Sequence, residues 1–338
     1  MTARLPVAED VAWVRVEDAA HVGRARRIAT SLAERLAFAE SRVAEIGLAV
    51  TEIGTNLHRH AGGGHVLVRV LRADDLAAVE VVSVDRGPGI PDLDRAMLDG
   101  ESTAGTLGIG LGVVARSADH LDVTTDRGRG TVLSARFQRR VRGVPDLVVD
   151  PGAAGVTRPL AGEDVCGDAY AVRRVDGKLW LMMCDGSGHG PLAASAAQAA
   201  VRSFRAEEPT APEAVVARLH RELRGTRGGA VAVAAVDPDR ASVRFAGLGN
   251  IAGAVLAGGR KRAMVSVPGI AGYQARTIQA FEHELPPGAL VVLHSDGLTE
   301  RWTADDVVTV TDPLLLAVTL VRDAGVRKDD ASALVAAT

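Results

Sequence analysis

Apolar side chains in the first part of the chain recur with two spacings, which predict helices followed by strands. Apolar and polar residues alternate over residues 11–17, as they do in a strand. Asp18 is a helix-capping residue, and the apolar positions after it follow a helical period: Val22, Ala25, Ile28, Ala29, Leu32 and Leu36. The same spacing predicts a second helix over residues 40–61, through Val43, Ile46, Val50, Ile53 and Leu57. Strands follow at residues 65–71, 76–85, 121–125 and 131–137. Because the helices precede mostly adjacent strands, the pattern predicts a mixed sheet with helices on one face.

The second part of the chain shows a different pattern, with many short apolar strands separated by Gly, Pro and Asp turns. Strands are predicted at residues 171–175, 178–183, 230–236, 241–247 and 289–294, and helices near residues 191–206, 212–224 and 313–324. This arrangement predicts two sheets packed between helices. The stretch after Phe137 is basic and irregular. We therefore predict an α+β protein with domains at residues 1–138 and 150–338 and a linker at residues 139–149.

Composition and charge narrow the classes of function. The chain has 338 residues, of which 47% are hydrophobic and 24% charged, as in a soluble globular protein. A net charge of -3, from 39 basic and 42 acidic residues, gives no general attraction to the phosphates of nucleic acid. No apolar stretch approaches the roughly 20 residues that span a bilayer, and the N-terminus has no apolar signal core. We therefore expect a cytoplasmic protein that binds neither nucleic acid nor membrane.

Three motifs in the first part of the chain predict a nucleotide site. Glu52 and Asn56 are four residues apart on the second helix and share one face. Their oxygens suit a catalytic water or hydroxyl and a Mg²⁺ ion, although an exposed polar stripe is the alternative interpretation. Asp85 ends a strand in D-R-G-P-G-I, where an acid between glycines suits an adenine amino group. The loop G-T-L-G-I-G-L-G at residues 105–112 precedes a helix and suits a polyphosphate, because glycines expose backbone N–H groups.

Acids lie at the ends of several strands in the second part of the chain. Asp168 lies in G-D-A-Y, Asp185 in C-D-G-S-G-H-G, Asp296 in H-S-D-G, and Asp329 with Asp330 in K-D-D-A-S. Acids also occur at turns because they cap them. Several glycine-flanked acids at strand ends, however, provide the carboxylate oxygens, close backbone carbonyls and room for water that a pair of hard divalent cations needs.

Residues from about 10 to 138 resemble the GHKL ATP-binding fold of histidine kinases, gyrase and bacterial anti-sigma kinases. Within that fold they resemble the RsbT-type serine kinases. These kinases have sequences similar to four motifs of this chain, which are A-G-G-G, V-D-R-G-P-G-I-P-D, D-G-E-S-T and G-T-L-G-I-G-L-G. The resemblance implies an α/β sandwich that binds ATP with Mg²⁺, with Glu52 as general base, Asn56 as Mg²⁺ ligand and Asp85 as adenine contact. The resemblance also implies that the walls and the lid of the ATP site are formed by Gly87, Gly89, Gly105, Thr106, Gly108 and Gly110. One departure is the continuation G-V-V-A-R-S-A-D-H, where the family usually has a Pro or Gly and basic residues.

Residues from about 150 to 338 resemble the metal-dependent Ser/Thr phosphatases of type 2C, in the compact SpoIIE and RsbX branch. The resemblance implies an αββα sandwich in which Asp185 bridges two Mn²⁺ or Mg²⁺ ions and the Gly186 carbonyl completes the shell of one. The other ion is implied at Asp296 and Asp329, and Asp168 and Asp330 also belong to the expected metal site. His189 is expected to protonate the leaving serine oxygen, and it stands two residues later than the histidine of the eukaryotic D-G-H-G.

These features predict a bifunctional signalling regulator, a phosphoserine/phosphothreonine protein phosphatase fused to an ATP-binding serine-kinase-like domain. The family resemblance implies a phosphorylated STAS-domain protein of a stress-signalling complex as the partner. An alternative is that the first domain is a non-catalytic module that binds ATP or a partner and gates the phosphatase. The presence of Glu52 favours catalysis.

Overall fold

The chain folds into two units, one formed by residues 6–149 and the other built mainly from residues 150–338. This computed structural model describes residues 5–97, 110–141, 143–307, 310–326 and 328–338. None of the described helices combines the length and the apolar composition needed to cross a bilayer.

The first unit is a sheet with helices on one face. Its elements are β1 (Val7–Val16), α1 (Ala19–Arg35), α2 (Glu40–His60), β2 (Gly64–Ala73), β3 (Leu76–Val84), α3 (Leu93–Met97), α4 (Gly110–Ser117), β4 (His120–Asp126) and β5 (Gly130–Gln138). The strand order is β1-β2-β3-β5-β4, and every described pair is antiparallel. The expectation of a mixed sheet was therefore wrong in this detail. The last hairpin consists of β4 and β5, and it is β5 that lies beside β3. Strand β5 runs antiparallel to β3.

The helices of the first unit form as their apolar spacing predicts. Asp18 caps α1, because its side chain accepts a hydrogen bond from the His21 N–H at 3.0 Å. The two long helices pack closely, and a β-carbon at Gly54 would lie only 2.8 Å from Cγ1 of Val22. Their buried faces cover one face of the sheet, with Ile46, Val50, Ile53, Val68, Val81 and Phe137 in the shared core. This packing determines which face of α2 remains partly exposed, on the side away from the core.

The segment predicted as a linker packs partly on the first unit. Leu147 joins a small apolar cluster with Leu71 and Ala78. Its N–H also donates to Oε1 of Gln138 at 2.7 Å. An apolar residue in an otherwise basic stretch is thus buried against the sheet that precedes it.

The second unit contains two five-stranded sheets between helices. Its first elements are β6 (Ala153–Arg158), β7 (Asp168–Val175), β8 (Lys178–Gly186), α5 (Pro191–Ala206), α6 (Pro212–Glu222), β9 (Gly229–Asp237), β10 (Ser242–Leu248) and β11 (Ala252–Ala257). The remaining ones are β12 (Arg260–Met264), β13 (Gly269–Ile270), β14 (Gln274–Ala275), β15 (Phe281–Glu284), β16 (Leu290–His294), α7 (Pro313–Ala324) and β17 (Ala331–Ala337). The strand orders are β15-β10-β9-β8-β7 and β12-β11-β16-β17-β6, and β13 pairs with β14.

Two apolar cores separate the layers of this unit. Side chains of β8 alternate between them, so that Met182 packs with α5 and α6 while Leu181 and Met183 pack between the sheets. This explains why the strand L-W-L-M-M is apolar at every position. Helix α7 packs against β6 and β17 of the second sheet, and the result is an αββα sandwich. The acids of the candidate site lie at the ends of strands of both sheets.

Candidate active sites

In the first unit, Glu52 and Asn56 lie on the face of α2 that approaches the start of α4. A β-carbon at Gly110, the first residue of α4, would lie 3.2 Å from Oε2 of Glu52 and 3.6 Å from Oδ1 of Asn56. Glycine at this position therefore lets the helix N-terminus, with its exposed N–H groups, approach both polar side chains. The structure brings together three residues that the sequence predicted for the ATP site.

Asp85 lies at the end of β3 and is buried. Its Oδ1 accepts hydrogen bonds from the N–H groups of Gly87 at 2.8 Å and Thr131 at 3.1 Å. These two bonds fix the orientation of the carboxylate. A β-carbon at Gly87 would lie 2.7 Å from Cα of Ala61, so only glycine allows this close approach.

The loop after Asp85 is held by hydroxyl groups that sequence reasoning missed. Oγ1 of Thr125 accepts a hydrogen bond from the N–H of Ile90 at 2.7 Å and lies 3.1 Å from Oγ1 of Thr131. Gly89 has φ +76°, a conformation that favours glycine. The predicted lid residues Gly105, Thr106 and Gly108 lie outside the described residues.

In the second unit, Asp168 and Asp185 are directly paired across β7 and β8. The N–H of Gly186 donates to the Gly167 carbonyl at 3.1 Å, which ties the loop after β8 to the start of β7. A β-carbon at Gly229 would overlap the carbonyl oxygen of Asp185, so the neighbouring strand β9 must begin with glycine. The antiparallel pairing thus places two carboxylates side by side.

Asp296 reaches the same pair from the other sheet. It follows β16, and its carboxylate lies close enough to that of Asp185 for the two charges to repel each other. Nδ2 of Asn250, in the turn between β10 and β11, donates to Oδ2 of Asp296 at 2.6 Å. Sequence reasoning missed Asn250, although its position in the turn G-L-G-N between two apolar strands was a usable signal.

The acid cluster is electrostatically unfavourable without positive charge. Burial, followed by repulsion from Asp168 and Asp296, raises the pKa of Asp185 to about 9. Burial is also the main cause that raises the pKa of Asp168 to about 7, and its buried Oδ2 has no hydrogen-bond partner. Burial and the nearby Asp329 raise the pKa of Asp296 as well. Such carboxylates are suited to hard divalent cations, which would replace the missing partners.

The carboxylates of this cluster do not by themselves surround a cation. No three His, Cys, Asp or Glu side chains among the described residues are already arranged to hold one ion. Backbone carbonyls and water would therefore have to complete the coordination of any cation bound here.

Asp329 and Asp330 have different surroundings. Both oxygens of Asp330 accept backbone hydrogen bonds, Oδ1 from Leu160 at 2.7 Å and Oδ2 from Gly167 at 2.9 Å. Asp330 therefore anchors the chain segment that leads into Asp168. Asp329 is more exposed, and its Oδ1 accepts the Asp330 N–H at 2.9 Å.

His189 lies on the exposed side of the loop after β8. Its Nδ1 is 2.7 Å from Oε1 of Glu163, a residue that sequence reasoning missed. A β-carbon at Gly190 would lie 3.1 Å from Oε2 of the same carboxylate. The glutamate therefore orients the imidazole, and Nε2 is the ring nitrogen left to act on another molecule.

Two sequence families match the chain, one in each unit. The family described as "Histidine kinase-like ATPase domain" matches residues 16–137, and "Stage II sporulation protein E (SpoIIE)" matches residues 175–338. The serine/threonine-protein kinase RsbT of Bacillus subtilis (strain 168) is 32% identical over 126 residues, which are 37% of this chain and 95% of RsbT. A solved structure described as "The bacterial stressosome: a modular system that has been adapted to control secondary messenger signaling" is 33% identical, with a TM-score of 0.52. The match covers 55% of this chain and 98% of that chain.

The two units define a signalling protein that combines a GHKL ATPase-type domain with a type 2C phosphatase domain. The chain belongs to the RsbT-like family through its first unit, and its second unit matches the SpoIIE family over residues 175–338. Both resemblances and the α+β fold class are therefore confirmed. The protein is a regulatory phosphatase with an RsbT-like module, and domains of these two kinds generally use divalent metals and ATP.

Proposed function

We propose that the second unit is a Mn²⁺- or Mg²⁺-dependent phosphoserine/phosphothreonine protein phosphatase. The observation that supports this most is the buried acid cluster, in which an oxygen of Asp168 has no partner. Asp168, Asp185, Asp296 and Asp329, with the Gly186 carbonyl, would hold two ions, and Asp330 would border them. Two bound divalent ions supply a hydroxide nucleophile at neutral pH and neutralise charge on the phosphoryl group.

The residues around the cluster position the remaining groups. Asn250 holds Asp296 through a charge-assisted hydrogen bond. Glu163 accepts the Nδ1 proton of His189, so that Nε2 can donate a proton to the serine oxygen that leaves. In this proposal His189 is the general acid and Glu163 is the residue that positions it.

We propose that the first unit binds ATP with Mg²⁺ and acts as a protein-serine kinase. The close approach of Gly110 to Glu52 and Asn56 supports this site. Glu52 would take the proton of the attacking hydroxyl, and Asn56 would be a Mg²⁺ ligand. Asp85 would accept a hydrogen bond from adenine, between walls formed by Gly87 and Gly89.

The proposed partners are regulatory proteins of a sigma factor pathway, and the proposed substrate is a phosphorylated STAS-domain protein. The similarity to RsbT and to a stressosome structure supports this choice. The test is to phosphorylate STAS proteins encoded near this one and to measure phosphate release by the full chain with Mn²⁺. Release from one such protein, and not from unrelated phosphoproteins, is the expected result. Equal rates on all of them would contradict the proposed specificity.

A second candidate function is that the first unit gates the phosphatase without transferring phosphate. The observation behind it is the sequence G-V-V-A-R-S-A-D-H at residues 112–120, which departs from the pattern usual in the family. Phosphotransfer assays with Glu52→Ala separate the candidates. A kinase should lose transfer and keep ATP binding, whereas a gating module shows no transfer even in the wild-type chain.

A further inference from the structure

The turn between α6 and β9 brings a basic side chain to the loop after β8. The N–H of Ser187 donates to the Gly228 carbonyl at 2.9 Å, so the two segments lie side by side. Nη1 of Arg227 is only 3.0 Å from the position that a β-carbon of Gly188 would occupy. The guanidinium thus contacts the backbone of the loop that runs from Asp185 to His189.

The backbone that carries Arg227 is firmly held. The N–H of Gly228 donates to Oγ1 of Thr226 at 2.9 Å, and that hydroxyl donates to the Leu223 carbonyl at 2.7 Å. The hydroxyl of Tyr273 donates to the Thr226 carbonyl at 2.9 Å. Pre-organisation of this kind lowers the entropic cost when the side chain binds a ligand.

Arg227 is exposed, and its guanidinium has no carboxylate partner among the ion pairs of the described residues. The neighbouring acids are committed elsewhere. Glu163 is 2.7 Å from His189, and Asp185 and Asp168 belong to the acid cluster. A guanidinium offers a fork of N–H donors that matches two oxygens of a phosphate. The guanidinium of Arg227 lies beside the loop that joins Asp185 to His189, two of the residues proposed for the phosphatase reaction.

We propose that Arg227 binds the phosphoryl group of the phosphoserine or phosphothreonine substrate in the second unit. The ligand class is a phosphate monoester dianion, and inorganic phosphate, the product, binds through the same oxygens. Arg227 is then a binding residue that holds the dianion in line with the acid cluster. This proposal rests on the phosphatase function proposed above.

The test compares three variants of the full chain, saturated with Mn²⁺: Arg227→Ala, Arg227→Lys and the control Arg224→Ala. Arg224 is an exposed arginine of the same turn, so its removal changes the net charge equally. The measured quantities are KM for p-nitrophenyl phosphate, the inhibition constant of inorganic phosphate, and calorimetric binding of inorganic phosphate.

We expect Arg227→Ala to raise both constants and weaken phosphate binding at least about tenfold, which corresponds to about 1.4 kcal/mol. Arg227→Lys should recover part of the loss because it keeps the charge without the fork. The control should match the wild-type chain. Constants for Arg227→Ala within about twofold of wild type would overturn the proposal, since a charge-assisted hydrogen bond is worth more than that.

The outcome also separates this proposal from the phosphatase function. If the wild-type chain hydrolyses no phosphate ester with Mn²⁺, the proposed function fails, and calorimetry then decides on Arg227 alone. Loss of phosphate binding in Arg227→Ala would still support the assignment. Unchanged binding in that variant, or no binding to the wild-type chain, would overturn it.

Discussion

Asp185 is partly buried at the end of β8 and interacts with three other carboxylates, those of Asp168, Asp296 and Asp329. The backbone around it cannot move away, because glycines at positions 186 and 229 lie in close contact with neighbouring chain segments. The side chain is therefore held where its charged form is disfavoured. This is a cost in the metal-free chain and an advantage when cations are bound.

The pH dependence of stability tests whether the charged form of Asp185 is disfavoured in the folded chain. The pKa of Asp185 is about 9 in the folded chain, whereas an unfolded aspartate titrates near about 3.9. The folded state therefore binds the proton more tightly, and the stability gained from it is lost as pH rises through the folded pKa. In EDTA, the free energy of unfolding of the wild-type chain should fall relative to Asp185→Asn by more than about 1 kcal/mol between about pH 5 and about pH 9. If the free energies of unfolding of the two proteins, measured by denaturant titration, changed in parallel with pH, the ionisation of Asp185 would not be the cause.

Glu163 provides a second prediction at the scale of one residue. If it orients His189 as the proton donor, Glu163→Ala should matter only where the leaving group needs a proton. We expect kcat for a phosphoserine peptide to fall at least about tenfold, and kcat for p-nitrophenyl phosphate to change little. Glu163→Gln, which keeps an accepting oxygen, should retain more activity than Glu163→Ala. Equal losses on both substrates would assign Glu163 to the fold instead of the proton transfer.

At the scale of elements, the pair α1 and α2 holds Glu52 and Asn56 in place. Two glycines in this pair give a matched test, because alanine improves helix propensity by about 1 kcal/mol at either position. At Gly23 the added β-carbon makes an ordinary contact at 3.4 Å, whereas at Gly54 it would meet the stiff Val22 side chain at 2.8 Å. We expect Gly54→Ala to be less stable than Gly23→Ala by about 1–3 kcal/mol in chemical unfolding. Equal stabilities would mean that the helices can separate freely.

Elements with a strong period were predictable from sequence, and edge strands were not. Helix α2 was predicted over residues 40–61 and is Glu40–His60, and α5 was predicted near residues 191–206 and is Pro191–Ala206. By contrast, β12 and β15 have the sequences R-K-R-A-M and F-E-H-E and lie at sheet edges. A strand that pairs on one side only and faces solvent needs no apolar alternation, so its sequence carries little signal.

The candidate sites follow the same rule. Asp168, Asp185 and Asp296 could be predicted because each lies at or next to the end of a regular strand, beside glycine. Arg227 could not be predicted, because its turn meets the loop after β8 only when distant strands pair. The turn G-L-G-N marks Asn250 as a candidate, but its bond to Asp296 forms only when β11 and β16 pair. Asp330 shows a further limit, since its motif position does not reveal that backbone N–H groups occupy both of its oxygens.

At the scale of the whole molecule, one chain carries a kinase-type domain and a phosphatase domain. A shared partner would meet both at high effective concentration, typically millimolar for short tethers. Two unregulated opposing activities would only consume ATP. We therefore predict that ATP changes the phosphatase rate of the full chain by about fivefold or more, the usual scale of coupling between sites.

The measurement of this coupling is phosphopeptide hydrolysis over an ATP titration, at a fixed concentration of free Mn²⁺ because ATP binds the metal. Asp85→Asn, which loses the proposed adenine contact, should shift the response to higher ATP concentration. Identical rates at all ATP concentrations in the wild-type chain would show two independent domains.

The acid cluster of the second unit is, in our proposal, a two-metal phosphatase site. The most direct test measures initial rates of phosphoserine peptide hydrolysis by the wild-type chain, Asp185→Asn and Asp296→Asn over a Mn²⁺ titration and in EDTA. We expect activity only with metal, and a loss of at least about 100-fold in each variant at saturating Mn²⁺ with the fold intact by circular dichroism. Wild-type activity that persists in EDTA, or full activity of both variants, would contradict the claim.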